Sequence, residues 1–273
     1  MALLDKLNRN KNASNFYLKI LEVPIISKRK LRAFNENLIQ DALSCDLGLG
    51  SKPLKNLEIS VAGNPSSVFK YEEHDLTASA LYHYKRYAFA SRNINFSKIE
   101  NLVEMASGSG KQAEIFAKLH PHITLFLVDI PPQLYVAHQY LLEIFPDRVM
   151  RFDPNLSSEK IARTKPGQIC FLGSWQLHLI GAKIDLFWSH ASFGEMEPEI
   201  VQHFLSLATP KTENFYLAQV FEGKEVARIA GDHGVMKQTI LKHYLDCLSD
   251  FKIVDLGSIG KSNYKEIFWK RIQ

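Results

Sequence analysis

The chain has 273 residues, 46% of them hydrophobic and 23% charged, with a net charge of +4. This composition excludes a disordered chain, and the length supports a buried core without disulfide or metal staples. Cys45, Cys170 and Cys247 are scattered and form no CxxC pair. They argue against a disulfide framework and a structural zinc site, and they suit a reducing cytoplasm. Met1 to Asn12 lacks the apolar run of a signal peptide, and stretches such as Ile123–Val128 are too short to cross a bilayer.

Residues 1–97 carry a net +5 and residues 98–273 a net −1. The sharpest basic cluster is Lys28, Arg29, Lys30 and Arg32, which reads as a solvated helix start or as an anion-binding patch. The acidic balance of the rest argues against nucleic acid as the main partner. Two regions follow from the texture, 1–97 and 98–273.

Residues 1–97 show helical periods and no strong strand. Leu3, Leu4 and Leu7 share a helical face. Leu31, Phe34, Leu38 and Ala42 repeat at helical spacing, and Leu76–Ala90 is a second helix, with Asp75 and Thr77 placed to cap it. An apolar helical region of this kind suits a cap, and also the pairing of two subunits into a homodimer. From Phe96 onward, strands and helices alternate. Strands are expected at 101–106, 122–128, 149–152, 168–172, 184–189, 215–221, 251–256 and 264–271. Helices are expected at 111–119, 131–144, 198–208 and 234–248. Alternation predicts a mostly parallel, doubly wound α/β sheet. The last two strands are joined by too few residues for a helical crossover, so they form a hairpin that places one antiparallel strand in the sheet.

The most informative stretch is Glu104-Met-Ala-Ser-Gly108-Ser-Gly110-Lys111, between a strand and a helix. Glycines there admit close approach of a ligand, and the helix start offers free N–H groups. The next strand ends at Asp129, placed to accept hydrogen bonds from ribose hydroxyls. Three ligands compete. A nucleoside triphosphate is ruled out, because Met105 and Gln112 break the P-loop pattern. A dinucleotide fits Gly108-x-Gly110-x-x-Ala113, which keeps an NAD(P)-dependent oxidoreductase open. S-adenosyl-L-methionine is the third. A carboxylate at Glu104 repels a pyrophosphate on that backbone and favours the ammonium of an amino-acid tail.

The run Val103–Glu114 resembles motif I of class I S-adenosylmethionine-dependent methyltransferases. With Leu127–Leu134, Ser192–Pro198, Ala62–Pro65 and Leu76–Leu81, the chain is similar to the bacterial sugar O-methyltransferase family over residues 58–221. The resemblance implies a Rossmann-like methyltransferase sheet and methyl transfer to a hydroxyl of a sugar, glycan precursor or small metabolite. One departure is Ala106, where motif I carries glycine; the loop tolerates it if that position does not need a positive φ.

Such a transfer needs a base near the acceptor oxygen. His190, Glu195 and His233 are the candidates, the first two following the fourth main strand, where ligands gather. The cofactor set is Glu104, Ala106, Ser107, Gly108, Gly110, Asp129 and Ile130, with Ser174 or Trp175 edging the adenine. Arg86, in Tyr82-His-Tyr-Lys-Arg-Tyr87, is placed to meet the methionine carboxylate. No cluster has metal-ligand spacing. Each candidate also has a structural reading: a buried strand-end histidine, helix-start carboxylates, core aromatics. A methyltransferase-like binding module without catalysis stays open beside the enzyme.

Overall fold

The computed structural model describes residues 28–65, 68–229, 234–259 and 262–273. Leu3, Leu4, Leu7 and His233 lie outside the described residues. The chain divides into two compact units, Met1–Leu38 and Ile39–Gln273, so the division expected at residue 97 falls inside the second. In the first, Lys28–Leu38 belong to helix α1, which runs Lys28–Leu43, and Arg32 pairs with Glu36 one turn on at 2.9 Å.

The second unit opens with a short antiparallel hairpin, β1 (Phe69–Tyr71) and β2 (His74–Leu76), where no strand was expected. Helix α2 follows, Ala78–Ser91, capped by the Thr77 hydroxyl, which accepts from the Ala80 N–H at 3.1 Å. The sheet strands are β3 (Asn101–Met105), β4 (Thr124–Asp129), β5 (Ile169–Gly173), β6 (Leu186–His190), β7 (Asn214–Gln219), β8 (Phe251–Ser258) and β9 (Lys265–Arg271). Their order is β5-β4-β3-β6-β7-β9-β8. The first five are parallel, and β9 is antiparallel to both β7 and β8. This is a mostly parallel, doubly wound α/β sheet, with the reversed strand that the closing hairpin predicts.

Helices α3 (Lys111–Leu119), α4 (Pro131–Ile144), α5 (Ser158–Ala162), α6 (Pro198–Ala208) and α7 (Leu241–Cys247) complete the unit. One sheet face buries Val103, Met105, Phe187, Phe215 and Leu217 with residues of α6 and α7. On the other, Trp188 stacks on Tyr216 at 3.7 Å, with Phe116 of α3 and Phe89 of α2 against them. Strand order reverses about β3, whose neighbours are β4 and β6. The crevice beyond their carboxyl ends is the place where such sheets hold ligands.

Two expected elements are corrected. Residues 149–152 form a single bridge, Val149 to Ile169, before an Asp153–Asn155 turn leads the chain away. The helix expected over 234–248 begins only at Leu241. Ahead of it Val235 bridges to Val226, the Thr239 hydroxyl donates to the Met196 carbonyl at 2.7 Å, and Met236 N–H donates to Glu197. Tertiary partners take the groups a helix would use.

Candidate active site

The turn after β3 is built from left-handed residues: Ala106 at φ 61°, Gly108 at 54° and Gly110 at 79°. A Cβ on Gly110 would meet Leu141 at 2.9 Å, so glycine there lets α3 start against α4. A Cβ on Gly108 would meet nothing within 4 Å and would project into open space. The condition set for Ala106 is not met: this position does need a positive φ. The alanine stays there at a cost of about 1–2 kcal/mol, held by its N–H donating to the Val128 carbonyl at 2.7 Å.

Asp129 fixes the other side of the turn. One carboxylate oxygen accepts from the Gly108 N–H at 2.8 Å and the other from the Ile130 N–H at 2.7 Å. Each oxygen keeps a second lone pair for a ligand. Burial raises the Asp129 pKa, and these two hydrogen bonds oppose the rise. Glu104, 5% exposed, is the last but one residue of β3, and its Oε2 has no hydrogen-bond partner. Burial first, and then the Asp129 charge, hold its pKa well above the ordinary carboxylate value.

A cavity of about 230 Å³ is bounded by Glu104, Ser107, Gly108, Gln112, His83 and His190, together with Ala106, Ser109 and Lys111. Ser107 Oγ and Gln112 Nε2 are buried without partners, as is Glu104 Oε2. The structure therefore brings Glu104, Ala106, Ser107, Gly108 and His190 to one cavity. It adds two residues the sequence reading did not select. His83 of α2 meets Gln112 of α3 at 3.1 Å, and burial and the Arg86 charge lower the His83 pKa to about 4. The signal for His83 was its place three residues before Arg86, on the same helical face.

His190 ends β6 and pairs in register with Ala218. Its turn is fixed by Ser189 Oγ against Ser192 Oγ at 3.0 Å and by Gln219, which reaches both Ser189 and the Gly194 N–H. Burial, then the charges of Arg86, His83 and Lys224, lower the His190 pKa to about 3. Glu195 belongs to a different cavity, of about 570 Å³, with Lys224, Gly234 and Tyr264. Its side chain is 64% exposed, and its carboxylate pairs with Lys224 at 2.6 Å. The His190 ring lies 6.2 Å from that of Tyr264, which places His190 beside both cavities.

Ile130 and Trp175 are exposed at the carboxyl edge, and Ser174 is half-buried. Trp175, 52% exposed, lies over Gly173, whose added Cβ would come within 2.4 Å of the indole. Gly173 is the register partner of Asp129. A third cavity, of about 660 Å³, lies against Ala62, Gly63 and Pro65 and shares Ser109 and Lys111 with the first. Among the described residues no His/Cys/Asp/Glu group could hold a metal ion, and no helix is long and apolar enough to cross a membrane.

No protein-family model matches the chain, and no curated protein sequence does. Solved structures do resemble it. Mitomycin 7-O-methyltransferase MmcR aligns at 12% identity and a TM-score of 0.46, over 71% of this chain and 57% of that one. Magnesium protoporphyrin IX methyltransferase from Synechocystis PCC 6803, with bound SAH, aligns at 13% and 0.44, over 65% and 76%. Human N-acetylserotonin methyltransferase, in complex with SAM, aligns at 14% and 0.42, over 72% and 56%. The chain thus spans under two thirds of the first and third of these.

Proposed function

We propose that the protein is an S-adenosylmethionine-dependent O-methyltransferase. The observation that carries this reading is the buried, unpartnered Glu104 carboxyl beside a left-handed turn tied to Asp129. An uncompensated carboxyl in that position suits an ammonium group and disfavours a pyrophosphate. The unpartnered Ser107 hydroxyl and Gln112 amide supply further polar contacts for an amino-acid tail. Asp129 keeps lone pairs for ribose hydroxyls, and Ile130, Ser174 and Trp175 stand at the same edge for an adenine.

When bound, the sulfonium supplies an electrophilic methyl group. His190 accepts the acceptor hydroxyl's proton on an imidazole nitrogen that its surroundings keep unprotonated at neutral pH. Glu195 and Lys224, paired in the neighbouring cavity, orient the acceptor, and His83 and Gln112 close the cofactor side. His233 belongs to the same reading as an alternative base. The acceptor is a sugar, a glycan precursor or a small metabolite; the sugar rests on the sequence resemblance alone.

Isothermal titration with S-adenosylmethionine, S-adenosylhomocysteine and NADH tests the cofactor. Binding of the first two at micromolar to high micromolar concentration is expected. Binding of NADH alone would move the protein to the oxidoreductases. Transfer of labelled methyl groups to hydroxylated acceptors, lost on His190→Ala with cofactor binding intact, tests the chemistry.

A further inference from the structure

Resting on the methyltransferase reading, we propose that Arg86 binds an anionic group, a carboxylate or phosphate, carried by the methyl acceptor beside His190. The sequence placed Arg86 at the cofactor's carboxylate. In the fold it stands between two sides: its neighbour His83 lines the glycine-turn cavity, while the same helix packs on β7 through Phe89 against Tyr216. The groups acting on its charge are Tyr216 of β7, Glu266 of β9, Tyr264 just before β9, and Tyr82 of its own helix. Arg86 in turn acts on His190 at the end of β6. The glycine turn and Asp129, by contrast, follow β3 and β4.

Register gives the arrangement. His190 pairs with Ala218, and Ala218 pairs with Glu266, so the three project from the same sheet face in a row across β6, β7 and β9. Ala218 is the middle residue of this row, between His190 and Glu266. Helix α2 packs over this row through Phe89 against Tyr216, and Arg86 lies one turn before Phe89 on that helix. Its Nη1 lies 3.4 Å from His83 Nδ1, and its Nε is buried without a partner. No carboxylate of the described residues lies within 4.0 Å of the guanidinium. Burying a cation in that state is costly, and an incoming anion relieves the cost.

Glu266 is only a partial counter-charge. The Tyr216 hydroxyl donates to it at 2.8 Å, and burial raises its pKa to about 7, so part of the population is neutral at physiological pH. The cavities on either side reach this cluster, one through His83 and His190 and the other through Tyr264. An acidic acceptor also serves the chemistry. The charged and titratable groups facing His190 are Arg86, His83 and Lys224, with Tyr264 beside the ring and Glu104 and Lys111 across the cavity. Neutralising Arg86 removes one field that opposes proton uptake by His190, which brings the base nearer to working pH.

The test uses full-length protein loaded with S-adenosylhomocysteine, titrated with benzoate, inorganic phosphate and benzamide. Benzoate or phosphate should bind, and which of them binds separates a carboxylate from a phosphate acceptor. Benzamide should not. Arg86→Gln should weaken the anion by about tenfold or more, while Arg86→Lys stays within about threefold and cofactor affinity changes less than about threefold. Lys retention keeps the test decisive if the Gln variant folds poorly by circular dichroism. Equal anion binding by the Gln variant and the parent protein, no anion binding at all, or a tenfold loss of S-adenosylhomocysteine affinity in Arg86→Gln would each overturn the proposal. If the parent protein binds no S-adenosylhomocysteine, the cofactor reading falls and takes this proposal with it. Cofactor binding without Arg86-dependent anion binding sinks this proposal alone.

Discussion

The Asp129 carboxylate accepts a 2.8 Å hydrogen bond from the Gly108 amide, joining the end of one strand to the turn that follows its neighbour. This bond makes the turn and the acid one unit. A ligand that grips both meets a surface already organised, with less ordering to offset on binding.

Breaking that unit should show in affinity. Asp129→Ala removes the acceptor for Gly108 and the lone pairs offered to a ribose, and should weaken S-adenosylhomocysteine by about 10- to 100-fold. Asp129→Asn keeps one carbonyl acceptor and should lose less. Calorimetric titration of both variants decides it. Unchanged affinity in the Ala variant would remove Asp129 from the site.

Ala106 sits where an L-residue is strained. Ala106→Gly relieves the left-handed cost but adds freedom to the unfolded chain, for a net gain of about 0.5–1 kcal/mol and a Tm rise of about 1–3 °C. Ala106→Val should lose about 1–3 kcal/mol, since a β-branched residue fits this region worst. Thermal unfolding of the three proteins side by side is the check, and a Gly variant less stable than the parent contradicts the strain.

Glu104 gives a pH signature. Its folded pKa is raised above the ordinary value of 4.5, so the empty folded protein holds this proton more tightly than the unfolded chain does. The associated stability is complete well below that ordinary value and is lost as pH rises from there through the folded pKa. Glu104→Gln cannot ionise, so its stability relative to the parent should increase between pH 5 and pH 8 in urea unfolding. The same variant should bind S-adenosylhomocysteine about tenfold more weakly, having lost a charge for the ammonium. A relative stability that is flat with pH would mean that Glu104 is not held in its protonated form.

His190 and Glu195 should separate in kinetics. His190→Ala should lower kcat by about 10²- to 10⁴-fold with cofactor affinity retained, the range of a positioned base. Glu195→Gln disturbs a largely exposed ion pair, which is worth little by itself. It should act mainly on the acceptor KM. Single-turnover methyl transfer at saturating cofactor distinguishes the two, and a larger kcat loss for the Glu195 variant would reverse the assignment.

Much of the fold was legible because it is written at short range. Helices 111–119, 131–144 and 198–208 have the bounds their periodicity predicts, since each begins at a local signal: Gly110 in the left-handed region, or proline in the first turn. The glycine turn and Asp129 were legible for the same reason. The helix expected from residue 234 was not, because Val226, Glu197 and Met196 lie far away in sequence and claim the chain before Leu241.

By itself, the sequence determined the alternation of strands and helices, the reversed closing strand and the turn that faces the crevice, all of which follow from spacing along a few consecutive residues. Only the tertiary structure decided which side chains share that crevice. His83 reaches the glycine turn because α2 packs beside α3, and His190 and Glu266 flank Ala218 because β9 inserts next to β7. Those neighbours are set by strand register and burial across dozens of residues, which the period of a single segment does not encode.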